Sequence, residues 1–407
     1  MSAARLARPI AVAVALVLAL GACAANNSSS SGSGGSSTVN LPEVSQLPVP
    51  GDAAKAADTG TAKCSNVSLA YAGAQTGANA QLGINILNGV KVAVQEHNAA
   101  NPNCQVNLKT FDTVGDANQA PGIVTQVVSD SSIVGVVGLP FSGESKSTGA
   151  LFQNAGLVHI TPSATNVGLT QNGWTTFFRG LAPDSVQGQA AAKFLTGPLK
   201  AAKVCVIQDD SDYGIGLANV VNSALGSADD ATCNDKIQSG NKDMSSTVTK
   251  VMAAKPDAVF YSGYYSDAAT LDQSLVNKGY NGLFVGPDGV KDPQFLKLAG
   301  SAGSNSYFTC PCVPGDLVSS FATAYEKVSG GTPPGTYSLE AYDAATVLLH
   351  GIDAGDAARP SLLNYVKTYN ADGLSKHFQW DSTGELTTKT VYGYKVSNGN
   401  IVYVGTI

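Results

Sequence analysis

Val204-Cys-Val-Ile-Gln208 runs straight into Asp209-Asp-Ser-Asp-Tyr-Gly-Ile-Gly-Leu-Ala218. The first five residues, rich in β-branched side chains, read as a buried strand; the acidic, hydroxylic turn and the glycines after it read as a loop opening a helix. The same order recurs along the chain. Strands are expected at residues 67–71, 106–111, 133–137, 157–161, 204–208, 258–262, 283–285 and 307–309. Between them Ile86, Leu87, Val90 and Val94 repeat at helical spacing, as do Leu271, Leu275 and Val276. Strand, helix and strand in repetition demand parallel sheets with right-handed crossovers. These are too many strands for one ordinary sheet, and residues 177–184 separate two similar halves. The expected fold class is therefore α/β, with two doubly wound parallel-sheet lobes. Late helices at 317–328 and 337–352 should return to the first lobe, and Asn398-Gly399 should turn a final hairpin.

The 407 residues are ample for two such lobes. Charged residues are 13% of the chain and the net charge is −6, which leaves no basic surface for nucleic acid. Beyond residue 23 no apolar run reaches the ~20 residues that a spanning helix needs. The start of the chain differs. Arg5 and Arg8 precede an apolar run from Ile10 to Leu20, and Leu20-Gly-Ala-Cys23 follows, which reads as an export signal over residues 1–22. Its last four residues resemble a bacterial lipobox, which implies diacylglycerol on Cys23. Residues 23–63, rich in Ser, Gly, Ala and Pro, are expected to be a disordered tether, and about 40 residues of coil span roughly 35 Å.

Six more cysteines sit in an exported, oxidising setting, where disulfides are the default. Cys64 and Cys104 precede neighbouring strands, and Cys205 and Cys233 repeat that arrangement, so the bridges Cys64–Cys104 and Cys205–Cys233 are expected. Cys310-Pro311-Cys312 can close on itself only as a tight ring.

Catalytic motifs do not surface. His97, His159, His350 and His377 belong to no metal-ligand pattern, and His159, inside an apolar strand, reads as a packed core residue. Gly214-x-Gly216 starts like a dinucleotide fingerprint but has Asn219 at the third glycine position. Asp209, Asp210 and Asp212 lack the spacing of a Ca²⁺ loop, and Asp212 is expected to cap the helix. The reading is a non-enzyme without cofactor or metal. Ligands of open parallel sheets bind beyond the carboxyl ends of the strands. The loops there offer hydroxyls, glycines and tyrosines, which suit a small neutral or zwitterionic ligand.

Four stretches carry a resemblance: Ile160-Thr-Pro-Ser-Ala-Thr165, Asp209 to Ala218, Tyr261-Ser-Gly-Tyr264 and Val285-Gly-Pro-Asp-Gly-Val290. In this order and spacing the chain from about Val67 to Tyr403 resembles the leucine/isoleucine/valine-binding protein family, the type I periplasmic substrate-binding proteins of ABC importers. The resemblance implies two lobes joined by three hinge crossovers, near residues 182–185, 308–312 and 391–395. Lobe 1 would comprise 64–183 plus 311–391, and lobe 2 would comprise 184–310 plus 392–407. It also implies that Ser142 and Thr165 hold a ligand carboxylate, that the carbonyl of Ser163 and the carboxylate of Asp288 hold an ammonium, and that Ala164 lies in the same loop. Tyr213, Tyr264 and Tyr342 fall on aromatic pocket positions. Leu82 stands where the family has a tyrosine, Phe141 where it has a cysteine, and Asp288 where it has a glutamate one bond longer. The implied function is capture of a small apolar amino acid by a monomer, lipid-anchored on the outer face of a bacterial membrane, for delivery to ABC permease subunits. The same fold would also suit an aromatic acid, amide or urea, or a ligand sensor; a secreted enzyme is the reading least supported.

Overall fold

The computed structural model describes residues 39 and 41–407; the signal segment 1–22 and the lipidation site Cys23 lie outside them. β1 (Val67–Gly73), α1 (Ala80–Ala100), β2 (Val106–Asp112), α2 (Ala120–Ser129), β3 (Ile133–Gly138), α3 (Ser142–Ala155), β4 (Val158–Thr161) and β5 (Phe177–Arg179) come first. Their strands form a sheet ordered β2-β1-β3-β4-β5, with every pair parallel. β1 and β3 are buried at every position, as strands covered by helices on both faces must be.

The chain crosses through α4 (Asp184–Thr196) to β6 (Val204–Gln208), α5 (Asp212–Leu225), β7 (Asp235–Lys236), α6 (Ser245–Ala254), β8 (Ala258–Ser262), α7 (Tyr265–Asn277), β9 (Leu283–Gly286), α8 (Pro293–Ala299) and β10 (Ser306–Cys310). A second crossing leads to α9 (Ser319–Ser329) and α10 (Ser338–Asp353), which pack on α1, and to α11 (Arg359–Thr368), which lies on β3 and β4. After the small antiparallel pair β11 (Asn370–Asp372) and β12 (His377–Gln379), a third crossing delivers β13 (Tyr392–Ser397) and β14 (Asn400–Thr406) to the second sheet. That sheet runs β14-β13-β10-β9-β8-β6-β7. The β13–β14 turn has φ of 50° at Asn398 and 76° at Gly399, as a type I′ turn requires. The fold is the expected pair of doubly wound lobes with three crossovers.

Two expectations are corrected. Residues 177–184 do not merely separate the halves: Phe177–Arg179 is the edge strand of the first sheet, paired with β4, too short for its alternation to show. The tether also ends well before Lys63. Val44 N–H donates to Tyr403 C=O, Ala54 N–H to Asp372 C=O and Ala56 N–H to the Tyr342 hydroxyl. Ala53, Ala56 and Ala62 are buried. The segment carries few large apolar side chains because small ones fit the groove it fills.

Cys64–Cys104, Cys205–Cys233 and Cys310–Cys312 are all bonded. The first two staple strand starts within one lobe, and the third sits at the second crossing. His159 is buried, stacked on Phe152 with centroids 4.1 Å apart. Burial pushes its imidazole down to about 3, so it is a neutral core residue.

Candidate functional site

The cleft is built where the carboxyl ends of both sheets face each other. On the first lobe, Ser142 opens α3 and its Oγ accepts from Asn166 N–H at 3.2 Å. Ser163 Oγ donates to Pro140 C=O at 2.8 Å, and Thr161 Oγ donates to Leu139 C=O at 2.9 Å. Arg179 fixes this loop from beneath. Its fully buried guanidinium donates to the carbonyls of Ala164 at 2.7 Å and Asn166 at 3.0 Å, and pairs with Glu385 at 3.0 Å. The Thr165 carbonyl accepts from Asp184 N–H. Three successive carbonyls are thereby occupied, while that of Ser163 has no partner among the described residues. Thr165 Oγ is likewise buried without a partner.

On the second lobe, Asp288 follows β9 and is wholly buried. Its Oδ1 accepts from the Tyr213 hydroxyl and from Gln187 Nε2 at 2.8 Å, and its Oδ2 from the Tyr337 hydroxyl at 2.8 Å. Burial raises this carboxyl above its ordinary range while the three donors pull it back. Burial and the Asp288 carboxylate also raise the hydroxyls of Tyr213 and Tyr337, which stay protonated donors. Tyr264 joins the wall, 5.2 Å from the Tyr213 ring and 4.7 Å, edge on, from Phe141 of the opposite lobe. Leu82 is buried in the first turn of α1, in the same apolar cluster as Phe141.

Tyr342 is the site residue that the structure moves. Its hydroxyl donates to Glu96 at 2.7 Å and accepts from Ala56 N–H, and its ring packs on Phe321. It clamps the amino-terminal segment. The tyrosine that reaches Asp288 is Tyr337, five residues earlier, about 7.5 Å along the helix axis and on another face.

Asp184 and Gln187 escaped the sequence reading. Asp184, at the first crossing, is fully buried, and neither oxygen makes a well-formed hydrogen bond among the described residues, although the Thr165 hydroxyl is near enough to draw its pKa down. Burial and then the Asp288 charge push it up to about 8. Its signal was an isolated acid opening a helix at a predicted hinge. Gln187, one turn on, touches Asp288 directly.

The acidic motif also takes a different form. Ser211, not Asp212, caps α5, accepting from Gly214 N–H at 2.9 Å, because Asp209 takes the Ser211 N–H and orients it. Asp212 reaches across to Lys146 of α3 at 2.6 Å. The Gly214-x-Gly216 pair serves close packing: a Cβ on Gly214 would lie 2.0 Å from Asp209 Oδ1, and one on Gly216 2.5 Å from Asn166 Nδ2. Asn166 Nδ2 donates to Asp212 C=O at 2.7 Å, and Asn85 Nδ2 to Asp292 at 2.9 Å. The lobes are thus drawn together over the cleft. As for metals, among the described residues the one group of close ligand atoms is His97, Cys104 and Asp353, and the Cys104 sulfur is bound in a disulfide.

A family profile described as Periplasmic binding protein matches residues 66–400. The chain belongs to this periplasmic binding protein family. Among its relatives, the Leu/Ile/Val-binding protein BraC3 of Rhizobium johnstonii is 29% identical over 335 residues, covering 80% of this chain and 90% of BraC3. The leucine-specific-binding protein of Salmonella typhimurium is 28% identical over 331 residues, 80% of this chain and 89% of that one. The crystal structure of LivJ from Streptococcus pneumoniae, a branched-chain amino acid transporter substrate-binding protein in complex with isoleucine, superposes with a TM-score of 0.77 at 25% identity, over 84% of this chain and 99% of LivJ. This periplasmic binding protein has, among the described residues, no helix long and apolar enough to cross a membrane.

Proposed function

We propose that the protein captures a small apolar amino acid as its zwitterion between the two lobes and delivers it to an ABC permease, held at the membrane by a lipidated Cys23. What carries the reading is the polarity of the cleft. One side offers Ser142, Thr165 and the amino-terminal N–H groups of α3, a setting that favours a carboxylate. The other offers the Ser163 carbonyl with two buried carboxylates, Asp184 and Asp288. A buried anion without partners is costly, and a ligand ammonium supplies the countercharge. The aspartate at 288 is one bond shorter than the family's glutamate. Tyr213, Tyr337 and Gln187 occupy three of its about four acceptor sites, so Asp184, which accepts no strong hydrogen bond, shares the ammonium with the remaining site on Asp288 Oδ2. Phe141, Tyr264 and Tyr213 then face the side chain, where burying a Leu-sized group contributes roughly 2–3 kcal/mol. Names of the relatives support branched-chain amino acids as the ligand class.

Calorimetric titration of ligand-free protein with leucine, isoleucine, valine, phenylalanine and alanine tests this. Saturable binding of at least one is expected, and its loss in Asp288→Ala with an unchanged circular dichroism spectrum. If none binds while benzoate, acetamide or urea does, the amino-acid reading is wrong. Incorporation of labelled palmitate that disappears in Cys23→Ala checks the anchor.

A further inference from the structure

Lys291 is buried, 8% exposed, three residues beyond Asp288, and among the described residues no carboxylate lies within ion-pair distance of it. Its ammonium instead lies 3.8 Å from Cys312 Sγ and 4.2 Å from the centroid of the Tyr394 ring. Burying a cation without a carboxylate partner is costly, and a sulfur and an aromatic face offset only part of that cost. Burial lowers its pKa, against the field of Asp316, Glu340, Asp292 and Asp288.

Both contacts fall on crossovers. Cys312 lies on the second, closed to Cys310 by the disulfide, and Tyr394 on the strand that ends the third. The two are tied together, since the Tyr394 hydroxyl donates to Cys312 C=O at 2.6 Å. The first lobe grips the same turn: Lys376 donates to Pro311 C=O at 3.2 Å and pairs with Glu340 at 2.9 Å, and Glu340 accepts from Val313 N–H at 2.8 Å. At its other end the lysine's own carbonyl accepts from Thr336 Oγ, next to Tyr337, the donor to Asp288. One short loop therefore touches the cleft carboxylate and both crossovers.

We propose that Lys291 is a positioning residue that couples the Asp288 loop to the hinge, fixing the Cys310–Cys312 turn and Tyr394 with or without ligand in the cleft. The proposal rests on the reading of a cleft that closes over its ligand. Coupling of this kind is reciprocal: what the hinge does to the cleft, the occupied cleft must do to the hinge.

The test reads the hinge disulfide itself. Full-length Lys291→Met keeps the apolar stem and removes the charge; Lys291→Arg restores it. Each protein is treated with tris(2-carboxyethyl)phosphine for set times, alkylated, and analysed by peptide mass spectrometry, with Cys64–Cys104 and Cys205–Cys233 as internal references. Without ligand, reduction at 310–312 is expected to be several-fold faster in Lys291→Met and near wild type in Lys291→Arg, with the references unmoved. Equal rates in all three proteins overturn the proposal, and so does equal acceleration of all three disulfides in Lys291→Met, which marks a structural role. With saturating leucine, protection of 310–312 is expected in the wild type and reduced in Lys291→Met; equal protection overturns it too. If leucine does not bind the wild type, the ligand-free comparison alone decides Lys291; the proposed function falls only if isoleucine, valine, phenylalanine and alanine fail as well.

Discussion

The Tyr337 hydroxyl donates to Asp288 Oδ2 at 2.8 Å, and the two residues stand on opposite lobes. Tyr337 precedes α10, which packs on α1 of the first lobe, while Asp288 follows β9 in the second. Tyr337 holds φ of 68°, a left-handed conformation rare for a bulky residue and costing of order 1–3 kcal/mol. Contacts that bridge the lobes and exist only when they meet are what shift an open/closed equilibrium.

Tyr337→Phe should therefore weaken ligand binding. A hydrogen bond to a charged group contributes about 1.5–3 kcal/mol, so a Kd at least tenfold higher is expected by calorimetry. The melting temperature of the ligand-free protein should barely move. Unchanged affinity would remove Tyr337 from the closing contact.

Asp184 makes a prediction about pH. In the folded protein its carboxyl is raised from 3.8 to about 8, so between those values the native state holds a proton that the unfolded chain has lost. Stability of the ligand-free protein therefore falls as pH rises from about 4 to about 8. Asp184→Asn should flatten that slope in melting curves, even though Glu144, also raised to about 8 by burial, remains. Ammonium binding needs the ionised form. Titrations near pH 7 should thus release protons, seen as a binding enthalpy that changes with the buffer's ionisation enthalpy, and Asp184→Asn should reduce that dependence, leaving the share of Asp288, whose carboxyl is also raised. A slope and a proton count identical in wild type and variant would refute the assignment.

Much of this architecture was legible in the chain, for reasons particular residues make plain. β6 and β8 fall at the expected 204–208 and 258–262, because apolar β-branched runs end sharply at polar loops. β5 did not show, since three residues carry no periodicity. Ser163, Thr165, Tyr264 and Asp288 lie on loops after their strands, and Ser142 and Tyr213 in the first turns of α3 and α5, where the order of strands puts them. Tyr342 was misplaced because sequence spacing does not say which turn of α10 faces the cleft. Gln187 was invisible as a partner of Asp288, and Asp184 gave only the weak signal of an acid at a hinge, since isolated polar residues reveal burial only through their three-dimensional neighbours. The segment 41–63 looked disordered by composition, yet Ala56 is fully buried: small side chains say nothing about a groove until the groove is seen.

Arg179 should be costly to remove. Its guanidinium is buried, pairs with Glu385 and holds two carbonyls of the 163–166 loop. Breaking one partner of a buried pair costs about 3–5 kcal/mol. Arg179→Met is expected to lose that much in urea denaturation, and Arg179→Met with Glu385→Leu to recover part of it. A single variant as stable as wild type would mean that the loop is held elsewhere.

Gly216 separates folding from closing. It lies inside α5, where alanine is favoured over glycine by about 1 kcal/mol, so Gly216→Ala should raise the melting temperature of the ligand-free protein. In the closed arrangement, however, the new Cβ would lie 2.5 Å from Asn166 Nδ2 of the other lobe. The amide must then move, and its hydrogen bond to the Asp212 carbonyl goes with it. The expected pair of results is a more stable protein with a weaker grip on its ligand, the Kd rising severalfold. Asn166→Ala in the same chain removes the clash, so the double variant should bind no more weakly than Asn166→Ala alone. If Gly216→Ala binds as tightly as wild type, the lobes do not approach each other at this point when ligand is held.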